Sequence, residues 1–299
     1  MLSLDGQVGT NIFAKNCILA FNVLENEFVN SNIAGFAKTV KVIGNNGLNT
    51  IVNTLGSELN YIVGNTVDCR NASTVGDSNQ YEYYEFSHIS SKCRSIYNKA
   101  TTGFVIANKI NLNIDTNLDH VNGLQIGIEV DGGNQIISSN LVEFTKLGNL
   151  AWINQPDNMS AVWGNTSGVY DIFNNIVNMD GALPKAKSEN AAIHYGATSV
   201  GHVQNNIIMN ATGKAVFSHH PTGNVVQVAN NICFKNTTDC GTENGNLTVD
   251  PKFVDLVNYQ LASDSSAINA GYDALARSDL DKTRADIGIH GGPFGFSQY

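Results

Sequence analysis

Charge is what this sequence most lacks. Of its 299 residues, 14% are Asp, Glu, Lys or Arg, with 26 acidic against 17 basic side chains and a formal net charge of -9. Binding to a nucleic-acid backbone rests on clustered Lys and Arg. No basic stripe occurs, so no nucleic-acid partner is expected. No apolar run is long enough to cross a bilayer as a helix, and no membrane partner is expected. The opening MLSLDGQVGT has neither the basic nor the apolar region of a secretory signal. Helical periods of Lys, Glu, Ala and Leu are also missing, and there are only 5 prolines. That excludes a helical bundle and leaves short Val, Ile, Phe and Tyr segments broken by Gly, Asn, Ser and Thr. Cys17, Cys69, Cys93, Cys233 and Cys240 fit no metal-ligand spacing, and no metal site is expected from them. Cys233 and Cys240 could bridge a loop, but the expectation for Cys17 and Cys233 is that they are small buried residues.

Asparagine is abundant, at about one residue in seven. The phrases VYDIFNNIVNM, HVQNNIIMN and VQVANNICFKN each place an Asn pair before aliphatic residues, with the second Asn at 175, 206 and 231. A repeat of roughly 25 to 31 residues points to a solenoid. Weaker versions give upstream anchors at Asn140, Asn108, Asn65 and Asn22. The two gaps of about 43 residues would each hold two turns, with VIGNNGLNTIV and EFSHISSKC in their middles. The reading is an all-β, right-handed parallel β-helix of about eight or nine coils. Stacked coils put equivalent Asn side chains in a column, where each amide both donates and accepts. Ile176, Ile207 and Ile232 are then expected to fill the tube. A solenoid end needs a cap, so a chain that opens directly on strand-like sequence is expected to be a fragment or to start partway into a longer product.

The C-terminal part reads DPKFVDLVNYQLASDSSAINAGYD and then DLDKTRADIGIHGG. Its D-P-x-F, L-x-x-x-S-x-A-I-x-x-G and R-x-D-I-G-x-x-G-G phrases resemble the ending of many bacterial right-handed parallel β-helix proteins of the pectin lyase-like kind. The resemblance implies coils over residues 1–249, with 250–299 as last coil and cap of the same domain. Asp279, Asp281, Arg284 and Asp286 are read as holding that cap together rather than as catalytic. The fold by itself names no activity. The paired-Asp motif of the pectin hydrolases and the D-P-H-D phrase of the alginate epimerases are absent, as are G-x-S-x-G and Walker motifs.

A second repeated phrase is SAVWG, AAIHY and KAVFS. With Val162, Ile193 and Val216 inward, alternation sends Trp163, His194 and Phe217 outward on one face, and GIEV adds Glu129 to the same column. Aromatic rings offer a floor for sugar rings, while His and Glu can move protons. Two long connections are expected to wall this floor. They bring Trp152, Asp157, Lys185, Lys187 and Glu189, and Tyr195, His219 and His220 lie beside the floor strands. His194, Glu129, Asp157 and Lys185 are the catalytic candidates; the remaining residues, with Trp163 and Phe217, are candidates for substrate contact. NLNIDTNLD puts Asn111, Asn113, Asp115, Asn117 and Asp119 on alternate positions, a polar strand face that leaves Ca2+ possible without an EF-hand.

The expected function is an extracellular or cell-surface carbohydrate-active β-helix whose partner is a polysaccharide. It would act as a lyase, with His194 or a loop Lys taking a proton, or as a hydrolase, with Glu129 and Asp157 as acid and base. The alternatives are a glycan-binding adhesin or fibre without turnover, and an incomplete β-helix lacking its own site.

Overall fold

A computed structural model describes residues 7–8, 11–29, 32–48, 51–70, 93–115, 124–147, 158–180, 191–219, 226–272 and 279–295. In chain order the strands begin with β1 Gln7–Val8, β2 Asn11–Leu24, β3 Glu27–Val29, β4 Asn32–Ile43, β5 Asn46–Leu48, β6 Ile51–Val63 and β7 Thr66–Arg70. They continue with β8 Cys93–Ile106, β9 Lys109–Asp115, β10 Leu124–Val130, β11 Gly133–Ser138, β12 Leu141–Leu147, β13 Asn158–Gly164 and β14 Gly168–Phe173. The last are β15 Ile176–Asn178, β16 Ala191–Tyr195, β17 Val200–Gln204, β18 Ile207–Met209, β19 Lys214–Ser218, β20 Val226–Ala229 and β21 Ile232–Phe234. They stack into two parallel sheets, a 9-stranded sheet A ordered β1-β3-β5-β7-β9-β12-β15-β18-β21 and a 12-stranded sheet B. Each coil adds one strand to sheet A, which makes the molecule a right-handed parallel β-helix.

The asparagine column is continuous. Asn26, Asn45, Asn65, Asn108, Asn140, Asn175, Asn206, Asn231 and Asn246 are linked in that order, each side-chain amide donating to the next Oδ1 at 2.9 to 3.2 Å. The backbone N–H of each rung donates to the same Oδ1, as from Asn175 to Asn206 at 2.9 Å. The amide also donates to carbonyls, as from Asn175 to Ile137 and Phe173. A buried amide in a tight turn is thereby satisfied. The first rung among the described residues is Asn26, not the exposed Asn22. The first long gap does hold two turns, with Asn45 between them. The second holds one, because Asn65 bonds directly to Asn108 and β7 pairs with β9; EFSHISSKC lies outside the described residues.

Each Asn pair divides its work. The first member, Asn174, Asn205 or Asn230, takes φ of 55°, 58° or 53°, the left-handed region that Asn tolerates better than most residues. The second turns inward to the ladder, so the next residue faces out. Ile176, Ile207 and Ile232 therefore lie on the outer flank of sheet A, while Val177, Ile208 and Cys233 fill the tube. That corrects the expectation for the three isoleucines by one step of alternation.

The flank is covered. Residues 250–272 and 279–295 run along the outer face of sheet A and pack Tyr259, Leu261, Ala267, Ile287 and Ile289 on the outward row Leu141, Ile176, Ile207 and Ile232. The first Asn of all three pairs grips this strap: Asn174 Nδ2 donates to the Asp286 and Gly288 carbonyls, Asn205 Oδ1 accepts from the Tyr272 N–H at 2.6 Å, and Asn230 Nδ2 donates to the Ala270 carbonyl at 3.4 Å. The C-terminal phrases knit the strap. Ser265 Oγ donates to the Pro251 carbonyl, Arg284 Nε to the Gly271 carbonyl at 2.6 Å, and Asp279 accepts from the Gly292 and Asp286 N–H groups. The C-terminal segment thus covers the side of the later coils. The last rung among the described residues, Asn246, sits in a short coil where Cys233 and Cys240 are joined as a disulfide, with Cα atoms 5.9 Å apart.

Sheet B changes shape along the axis. β8 is one 14-residue strand, yet it pairs with both β10 and β11. The chain breaks between them at Asp131–Gly132, and the turn requires glycine: Gly133 is at φ 68°, and a Cβ there would lie 2.1 Å from the Ala100 carbonyl oxygen. From this coil onward sheet B has two outward faces meeting at a corner. Inside the corner Thr54, Asn60, Asn98 and Gln135 form a second buried hydrogen-bonded chain, with Asn98 Nδ2 to Gln135 Oε1 at 2.7 Å.

Candidate functional site

The first outward face is carried by β10, β13, β16 and β19. Adjacent residues Ala161 and Val162, like Ala192 and Ile193, both join the core, so each strand bends there. Alternation then resumes, with Trp163 and His194 outward and Tyr195 inward. The pairing register aligns Tyr97 with Glu129, Glu129 with Trp163, Trp163 with His194, and His194 with Phe217. The residues read from sequence as one column are therefore in register outside the apolar core, and Tyr97 extends the row, although Glu129 and His194 are each only 2% exposed. Tyr195 is corrected: it is wholly buried, its hydroxyl donating to the Tyr170 carbonyl at 2.6 Å, and it braces the tube rather than touching a substrate.

The rings of this column stack on one another. Trp163 and His194 lie 4.9 Å apart at 1°. Phe217 and His219 meet His194 at 5.3 and 4.8 Å, and Lys214 Nζ sits 3.9 Å over Phe217. One face of the indole is thus already covered by the imidazole. His194 is only 2% exposed. Burial first, then the charges of His219 and Lys214, depress its pKa to about 4, so the imidazole is neutral near pH 7.

At the corner the face becomes polar. Asp131 accepts from the Tyr97 hydroxyl at 2.9 Å, from Lys99 Nζ at 2.9 Å and from the Thr166 hydroxyl. Burial works to raise this carboxyl, but the bonds from Thr166, Lys99 and Tyr97 outweigh it and hold the pKa below the ordinary carboxylate value. Glu129, two residues earlier on the same face, accepts from Asn165 Nδ2 at 3.0 Å. The structure brings together Glu129, Asp131, Trp163, His194, Phe217 and His219. Trp152, Asp157, Lys185, Lys187, Glu189 and His220 lie outside the described residues. On the strand considered for Ca2+, Asn111 Nδ2 donates to Asp68 Oδ1 at 2.5 Å, and residues 116–119 lie outside the described residues. Among the described residues no group of three His, Cys, Asp or Glu side chains is placed to hold a metal.

One pair was missed in the sequence. On the second outward face of sheet B, Asp171 Oδ1 lies 2.6 Å from His202 Nδ1, and both side chains are partly exposed. Each stands four residues before its ladder Asn, 175 and 206. Counting back from the rungs would have found them.

Two groups with opposite shifts give a pH test. A His held near 4 in the folded state, against about 6.5 unfolded, contributes stability that is complete above 6.5 and lost as pH falls toward 4, by up to about 3 kcal/mol. Asp279 is raised to about 6, by burial first and then by the Asp286 and Asp281 charges, against the N–H bonds it accepts. Its contribution is complete below its ordinary value and lost as pH rises through 6. The slopes oppose in the wild type. Urea midpoints of His194→Phe should therefore fall from pH 4 to 6, and those of Asp279→Asn should rise. Parallel pH profiles for both variants would contradict these assignments.

Comparison with protein-family models, curated proteins and solved structures finds no match to this chain.

Proposed function

We propose that the protein is a carbohydrate-binding parallel β-helix of the pectin lyase-like kind, secreted or held at the cell surface, which takes a polysaccharide along the outward face from Tyr97 to Phe217. The observation that carries this reading is the hydrogen-bonded register that lines Tyr97, Glu129, Trp163, His194 and Phe217 into one outward column. A rigid face of aromatic edges and hydrogen-bonding groups, low in net charge, suits a polyhydroxylated chain.

Turnover is a second reading, favoured by Glu129 and the ionised Asp131 sharing that face. Carboxylates flanking a sugar suit hydrolysis, but Glu129 and Asp131, 2% and 6% exposed, are enclosed much as the imidazole that would serve a lyase is, at 2%.

Affinity electrophoresis against a panel of neutral and acidic polysaccharides tests binding. Trp163→Ala should weaken it by roughly 1 to 2 kcal/mol, measured below the melting temperature of the variant, because the indole also covers His194. Reducing-end release, against appearance of an unsaturated uronide, separates hydrolysis from elimination. Unaltered binding in Trp163→Ala would move the ligand off this face.

A further inference from the structure

The second outward face of sheet B carries a column of its own. The register pairs Lys41 with Tyr61, Tyr61 with Phe104, Phe104 with Ile136, Ile136 with Asp171, and Asp171 with His202. Every one of these residues stands four before a ladder Asn, so the ladder fixes the column's alignment as firmly as the coils themselves. Unlike His194, its members are accessible: the side chains of Asp171 and His202 are 31% and 39% exposed, and Tyr61, Phe104 and Ile136 are half-buried. Tyr61 and Phe104 stack at 5.1 Å and 7°, with Lys41 Nζ 5.8 Å from the Tyr61 ring.

From this geometry we propose a second glycan-contact strip, with Asp171 and His202 as its polar anchor. The proposal rests on the carbohydrate reading above and assigns a separate face to it. Three features point to a neutral glycan. The strip is apolar at its centre and polar at its ends, the composition of sites that bind by apolar contact and orient by a few hydrogen bonds. Its acid and imidazole are engaged with each other, and the strip's one lysine, Lys41, stands at the far end over the Tyr61 ring, so the anchor itself holds no cation to select an acidic sugar, while Oδ2 of Asp171 and Nε2 of His202 are second polar atoms for hydroxyl groups. The strands beneath are paired in the interior of the sheet, so no free edge offers backbone bonds to a peptide. Five coil steps span roughly 24 Å, enough for several sugar rings laid along the axis. The anchor's backbone is fixed from inside, where the Tyr195 hydroxyl donates to the carbonyls of Tyr170 and His202 at 2.6 and 3.2 Å.

The test is calorimetric titration of the intact chain with cello-, xylo- and malto-oligosaccharides and with an oligogalacturonide, read together with NMR shifts of the His202 imidazole. The proposal expects a neutral oligosaccharide to shift His202. It expects His202→Gln and Phe104→Ala each to weaken one class of site about tenfold and to leave the class lost in Trp163→Ala intact. His202→Gln guards against a folding artefact, since it changes a partly exposed side chain and keeps a group able to donate to Asp171. Binding abolished by Trp163→Ala alone overturns the second strip and spares the first. Tighter binding of the oligogalacturonide at the His202 site overturns the neutral-sugar assignment. Self-association that Phe104→Ala abolishes assigns the strip to a second copy of the chain. No binding of any glycan to the wild type overturns the carbohydrate reading itself.

Discussion

Replacing Asn175 by Leu is expected to lower the unfolding free energy by roughly 3 to 5 kcal/mol, more than an ordinary point change. Asn175 Oδ1 receives the backbone N–H and the side-chain amide of Asn140, and its own amide reaches Asn206 and the Ile137 and Phe173 carbonyls. Leu keeps the volume and makes none of these bonds. Each buried donor left alone costs about 1 to 3 kcal/mol. The turn has no water to replace them, because Asn140, Asn175 and Asn206 are wholly buried. Asn174→Leu, one position earlier, should cost less, because it disturbs the left-handed turn and the strap contacts but not the ladder. Equal urea midpoints for Asn175→Leu and the wild type would remove the ladder from the account.

Deleting residues 250–299 is expected to produce aggregation, not a smaller stable solenoid. The strap covers an outward row in which Leu141, Ile176, Ile207 and Ile232 are 0 to 3% exposed. Uncovering four large aliphatic side chains on adjacent coils forfeits about 1.5 to 3 kcal/mol for each and leaves a contiguous apolar patch. A soluble, monomeric truncated chain with an unchanged β-type circular dichroism spectrum would show that the flank needs no cover.

The architecture was legible because the ladder is a chemical requirement: a buried turn repeated at one coil spacing needs a side chain that both donates and accepts, and Asn at 65, 108, 140, 175, 206 and 231 announced it. The two ends of the ladder were harder. Asn26 is followed by the charged Glu27, and Asn246 comes only 15 residues after Asn231, far short of the spacing of the middle rungs. The gap from Asn65 to Asn108 had the length of two coils, and length alone does not distinguish a coil from a loop. The outward column from Glu129 to Phe217 followed from strand alternation, which survived the bend at Ala161 and Ala192 because the bend precedes the column. Tyr195 was misplaced since an aromatic next to two outward rings looks like part of the same floor, although alternation already turns it inward. The Asp171–His202 pair went unseen because the two residues lie in different coils and meet only when the rungs serve as the ruler.

In the function proposed above, a glycan lies against Trp163. The chain has 2 tryptophans, so a ¹⁵N-labelled sample gives two indole N–H signals, which Trp163→Phe assigns. Titration with the tightest-binding polysaccharide fragment should move the Trp163 signal saturably, at the concentration that saturates binding. A fragment that binds and leaves that signal in place throughout the titration would contradict the claim.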